Sequence, residues 1–113
     1  MAVQLNIAGY DQLNQSINEF LSSGRYSSVV INIFSDQAAT VPVVDGHGEV
    51  KARKIASVNV VQPHNDVNGN RINGYITIAF TDGSSIVSTE NVNNYWYTLD
   101  GLAFQHRTFG TPI

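Results

Sequence analysis

Hydrophobic and polar positions alternate along this chain with two different periods, and each period predicts its own element. Leu13, Ile17, Phe20 and Leu21 recur at the i, i+4, i+7, i+8 spacing of one helical face. Asp11 stands where an N-cap belongs and Gly24 where a left-handed C-cap belongs, so an amphipathic helix is expected over residues 11–23. Ahead of it, Val3, Leu5 and Ile7 alternate as a short edge strand ending at Gly9. Val29, Ile31 and Ile33 alternate too, although Val29, Val30, Ile33 and Phe34 also trace a helical stripe. The β-branched run Val29-Val30-Ile31 loses rotamer freedom in a helix and favours a strand over residues 26–34.

Residues 40–49, with Pro42, Asp45, Gly46 and Gly48, read as loop. Residues 51–62 read as a strand ended by Pro63, with Ala56, Val58 and Val60 on one face and Ile55, Ser57, Asn59 and Val61 on the other. Residues 64–70 form a polar hairpin loop around Asn68-Gly69, and Ile72, Gly74, Ile76, Ile78 and Phe80 follow at period two as the best core-facing strand. Asp82-Gly83 and Asp100-Gly101 each lie between β-branched or aromatic runs and predict two tight hairpins. Around the second, Leu99 faces Leu102, Tyr97 faces Phe104 and Tyr95 faces His106. The opposite face then carries Thr98 with Ala103, Trp96 with Gln105 and Asn94 with Arg107. The fold class that follows is α+β, a single domain over residues 1–113 with one long N-terminal helix on a curved antiparallel sheet of roughly four to six strands.

Composition narrows the chemistry. Charged residues make up 13% of the chain, about half the usual share, and asparagine, serine and threonine fill the gap. A net charge of −3 gives no general attraction to nucleic acid, and none is expected as a partner. The absence of cysteine excludes disulfides and thiolate chemistry. No stretch approaches the ~20 apolar residues of a membrane span, and the first residues lack a signal-peptide pattern. Cytoplasmic synthesis is therefore the default expectation, with a secreted or virion setting left open by the asparagine-rich surface.

Several clusters bear on function. His106 ends the aromatic face of Tyr95, Tyr97 and Phe104, where an imidazole serves as general base or hydrogen-bond donor, or as a histidine satisfied by a neighbour. Trp96, with Gln105 and Arg107 on its face, serves equally well as interface anchor or core residue. Asp45-Gly46-His47-Gly48-Glu49 groups two carboxylates and an imidazole without any repeated ligand spacing, so a solvated turn is the better reading. Asp66-Val67-Asn68-Gly69-Asn70 begins like a calcium loop, but Arg71 occupies the glycine position and Thr77 that of the bidentate glutamate. No metal or cofactor is expected. Lys51-Ala52-Arg53-Lys54, holding half of the six basic residues, reads as charge guarding an edge strand.

The segment Phe80-Thr81-Asp82-Gly83 together with Tyr95-Trp96-Tyr97-Thr98-Leu99-Asp100-Gly101-Leu102-Ala103-Phe104-Gln105-His106-Arg107 resembles the closing strands of the nuclear-transport-factor-two-like superfamily, which includes polyketide-cyclase-like proteins. Phe34-Ser35-Asp36-Gln37-Ala38-Ala39 is similar to the phenylalanine-acid-acid-alanine stretch of that group. The resemblance covers about half the chain and implies a cone-shaped α+β fold, a sheet-mediated dimer, and an apolar ring bound near His106, Tyr95 and Tyr97. Members have about three N-terminal helices where this chain shows one, which leaves a cystatin-like arrangement as the alternative; the Gln-x-Val-x-Gly inhibitor motif is absent. The expectation is a non-enzymatic binding or interaction module, a homodimer, binding a protein or a small apolar ligand. The alternatives are a small lyase-, isomerase- or cyclase-type enzyme and a virion or secreted structural subunit.

Overall fold

The helix expected over residues 11–23 runs as α1 from Tyr10 to Ser22. Its N-cap is Gly9, preceded by a single 3-10 turn at Ile7–Gly9, and Asp11 sits in the first turn, where a carboxylate complements the helix dipole. Gly24, at φ 76, supplies the left-handed residue that ends it. Leu13 is fully buried, Ile17 packs against the core, and Leu21 at the far end is 45% exposed. The helix thus anchors by its N-terminal half.

The structure, a computed structural model, describes residues 2–90 and 95–103. The strands are β1 (Val3–Gln4), β2 (Tyr26–Phe34), β3 (Val44–Asp45), β4 (Gly48–Glu49), β5 (Arg53–Val61), β6 (His64–Asn65), β7 (Arg71–Ile72), β8 (Tyr75–Phe80), β9 (Ser85–Thr89) and β10 (Trp96–Ala103). Six of them form one antiparallel sheet in the order β1-β10-β2-β5-β8-β9. The α+β class, with one helix on an antiparallel sheet, is what the hydrophobic periods predict. Residues 26–34 are a strand, as their β-branching requires, and β2 becomes the centre of the sheet.

The β8–β9 hairpin turns at Asp82-Gly83 with Gly83 at φ 90, and the β6–β7 hairpin turns with Gly69 at φ 82. The second Asp-Gly pair behaves otherwise. Asp100 and Gly101 lie inside the continuous strand β10, which pairs along its whole length with β2, Tyr97 opposite Ile33 and Leu99 opposite Ile31. The expected hairpin is overturned because Gly101 serves a close approach: a Cβ there would stand 2.4 Å from Cδ1 of Tyr26.

Three further expectations change. Residues 40–49 contain the small β3–β4 hairpin, and Val50, just after it, is fully buried and bonded to β2 through Ile33 N–H, 2.9 Å to the Val50 carbonyl. A bulge between Ile55 and Ser57 shifts the register of β5, so Ile55, Val58 and Val60 stand opposite Phe80, Ile78 and Ile76 and share their face. The strict alternation assigned to residues 51–62 therefore fails at Ala56. Finally, β5 lies between β2 and β8, so the basic cluster guards no edge.

The core gathers Leu5, Leu13, Ile31, Ile33, Val50, Ile76, Ile78, Phe80, Ile86 and Tyr97 on the helix side of the sheet. Burying side chains of this size at about 25 cal/mol per Å² is the main favourable term in folding. β2 and β5 pair at only Val30–Lys54 and Ile31–Arg53, so the sheet is joined at its middle by a short seam.

Candidate functional site

Arg53 shows how the basic cluster is actually used. Ala52, at φ 54, kinks the chain and its N–H donates to Asn32 Oδ1 at 2.8 Å; the next residue then points its side chain into the helix-side core. The guanidinium donates to Asp45 at 2.6 and 2.7 Å, to Ser84 Oγ at 3.0 Å, and to the carbonyls of Gly48 and Glu49 at 3.0 and 3.2 Å, above the Phe80 ring. Hydrogen bonds from Arg53, followed by the His47 amide, hold the Asp45 carboxyl well below the usual carboxylate range. Both terminal nitrogens of this fork are engaged, and together they staple the β3–β4 hairpin to the sheet. The Asp45–Glu49 turn is structural, and among the described residues no group of acidic and histidine side chains could hold a metal.

Asp66 caps its own turn, accepting from the amides of Asn68 and Asn70 at 2.9 Å each, which explains the calcium-like letters without an ion. Asp36, within the stretch that resembles the phenylalanine-acid-acid-alanine motif, likewise caps a loop. It accepts from the Thr40 hydroxyl and from the Val41 amide at 2.9 Å, and these bonds lower its pKa.

β10 separates the remaining candidates onto opposite faces. Tyr97 projects to the helix side, 4% exposed within the core, and Tyr95 packs at its margin while its carbonyl accepts from Leu5 N–H at 2.8 Å. Trp96 projects to the other side, opposite Phe34 on β2 and Gln4 on β1, and is half-buried. His106, Phe104, Gln105 and Arg107 lie outside the described residues. Strand alternation puts Tyr95 and Tyr97 on one face and Trp96 on the other, and β10 keeps that division although Asp100-Gly101 makes no hairpin.

On the helix side, α1 leaves an open cleft along each flank. One, of about 230 Å³, is lined by Ile17, Leu21, Val29, Ile55 and Val58, with Asn14 at its wall. The other, of about 250 Å³, lies between α1 and the β1–β10 edge and is lined by Val3, Gln12, Ser16, Phe20, Tyr97 and Leu99. No hydrogen bond to the Tyr97 hydroxyl comes from the described residues, and burial pushes its pKa up, so the phenol stays protonated as a donor. Periodicity could not reveal this cleft, because it depends on where the helix crosses the strands.

Across the sheet, no helix among the described residues lies on the face of Val30, Asn32, Phe34, Trp96 and Thr98. Asn32 Nδ2 donates to Thr98 Oγ1 at 3.1 Å, tying the two strands together beneath the aromatic pair. The charges on this part of the face are Lys54 and Asp100, which stand on either side of Val30. No helix among the described residues is long and apolar enough to cross a membrane. No family model matches the chain, and no curated protein or solved structure matches it either.

Proposed function

We propose that this chain is a small non-enzymatic interaction module that works as a homodimer, with the helix-free sheet face around Trp96 as its contact surface. One observation carries the reading: a half-buried tryptophan on a sheet face that no described helix covers and that bears few charges, set against the buried Phe34 and near the buried Val30. Tryptophan supplies much of the binding energy at such surfaces when a partner removes its remaining water. Light scattering tests it. The wild-type chain should give at least twice the monomer mass at micromolar concentration, and Trp96→Ala should weaken association at least tenfold, about 1.4 kcal/mol. A wild-type monomer, or an unchanged mass in Trp96→Ala, removes this reading.

A second reading has its own support in the buried Tyr97 hydroxyl beside the α1–β10 cleft. It makes the chain a small enzyme like the polyketide-cyclase-like proteins it resembles, holding an apolar ring with Tyr97 and Tyr95 as donors and His106 as base. Two measurements on Tyr97→Phe bear on the choice. If the hydroxyl has no role, removing an unsatisfied buried group stabilises the fold by about 1 kcal/mol, measured as a higher urea midpoint. If it binds a ligand, binding of a phenolic probe seen by NMR titration of wild type is lost in the variant.

A further inference from the structure

The two edges of the main sheet are built differently. Phe80 N–H donates to the Ser84 carbonyl and Glu90 N–H to the Gly74 carbonyl, both at 2.9 Å, and Ile78–Ile86 and Ile76–Ser88 stand between them in register. In an antiparallel ladder, bonded and non-bonded pairs alternate. Ser84, Ile86, Ser88 and Glu90 therefore bond to β8, while Ser85, Val87 and Thr89 direct both N–H and C=O away from the sheet. Among the described residues nothing bonds these outward groups.

The opposite edge is partly covered. β1 pairs with Trp96 and Tyr97, and further along β10 the outward N–H of Gly101 is bonded by the neighbouring Asp100 carboxylate at 3.1 Å. A charged side chain that occupies an edge amide hinders strand addition. β9, Ser85-Ile86-Val87-Ser88-Thr89, has no charge, no proline and no bulge. Val87 is 47% exposed, and the next charged residue, Glu90, is engaged by Arg71 at 2.8 Å.

We infer that β9 is the edge through which two copies of this chain join their sheets, antiparallel about a two-fold axis at Val87. A second copy suits this edge because the strand is complementary to itself: Ser85 meets Thr89, Val87 meets its own equivalent, and no like charges are brought together. The inference goes beyond the face reading above, since it rests on backbone groups at the edge and not on Trp96. If both contacts operate, each two-fold by itself, the assembly exceeds a dimer.

The test compares wild type, Val87→Lys and Trp96→Ala by native mass and light scattering, with far-UV circular dichroism confirming the fold. Lysine at an exposed site sets two ammonium groups against each other across the axis and should weaken association at least tenfold. Val87→Pro, which removes an outward N–H but no bond to β8, should do the same. In the wild-type oligomer the amides of Val87 and Thr89 should exchange slowly with deuterium, and quickly in Val87→Lys. An oligomer unchanged by both Val87 variants, or fast exchange at both amides in wild type, overturns the edge contact and leaves the Trp96 face standing. A wild-type monomer overturns both. Loss of association in Trp96→Ala alone supports the face and overturns the edge.

Discussion

Replacing Arg53 by leucine is expected to lower the stability of this protein by about 3 kcal/mol, measured as a fall in the urea midpoint at pH 7. The substitution leaves five acceptor contacts without their donor at once: two on Asp45 and one each on Ser84, Gly48 and Glu49. The gain in apolar burial does not offset this, because leucine leaves the Asp45 carboxylate and the Gly48 and Glu49 carbonyls without the donors that now satisfy them. A domain of this size has roughly 5–15 kcal/mol in total, so the loss is a large share. Lysine should not rescue it, since a point charge cannot reproduce a bidentate fork. The same pair sets an acid limb. The Asp45 pKa is lowered in the folded chain, so its contribution is complete above the ordinary value of 3.8 and is lost as pH falls below it. Stability should therefore decline below about pH 4, and less steeply in Arg53→Leu, where Asp36 and Asp82, both also lowered, remain.

Gly101→Ala is the second large effect, a loss of about 2 kcal/mol from overpacking. The new Cβ would meet Cδ1, Cγ and Cε1 of Tyr26 at 2.4, 2.5 and 2.6 Å. Tyr26 cannot simply turn away, because its ring also meets Phe20 of α1 edge-on, with centroids 5.4 Å apart. The glycine thus lets one tyrosine bridge the end of the helix and the strand beneath it. Thermal unfolding of Gly101→Ala, Tyr26→Ala and the double variant tests this. The double should cost less than the sum of the singles, because the clash vanishes with the ring. Strict additivity would show that Tyr26 is not what excludes the methyl group.

The elements legible in the sequence are those whose burial follows one period without interruption. α1 and β8 are of this kind: Leu13 and Ile17 face the sheet, and Ile76, Ile78 and Phe80 are all buried. β5 was legible as a strand but not in its facing, because one bulged residue at Ala56 exchanges the two faces and leaves no mark in composition. Asp-Gly has two physical uses, permission for positive φ and lack of a Cβ, and letters alone do not say which applies; Gly83 uses the first and Gly101 the second. Arg53 was legible as a charge and not as a staple, since its direction depends on the left-handed Ala52. Of the candidate site, the division between Tyr95 and Tyr97 on one side and Trp96 on the other was readable from strand alternation. The clefts beside α1 and the guarding of each edge depend on strand order, which no local pattern contains.

That strand order also fixes a sequence of events in time. β10 lies between β1 and β2, so the two earliest strands of the chain are joined only by the latest described one. During synthesis, β5, β8 and β9 can form their meander from neighbouring hairpins while β1 waits without a partner. The closing step pairs Trp96 with Phe34 and Tyr97 with both Val3 and Ile33, across most of the chain's length. Contacts so far apart in sequence make closure slow. Until it happens the nascent chain carries β2 with an open side, at the stage when its Val29-Val30-Ile31 run is most exposed to other chains.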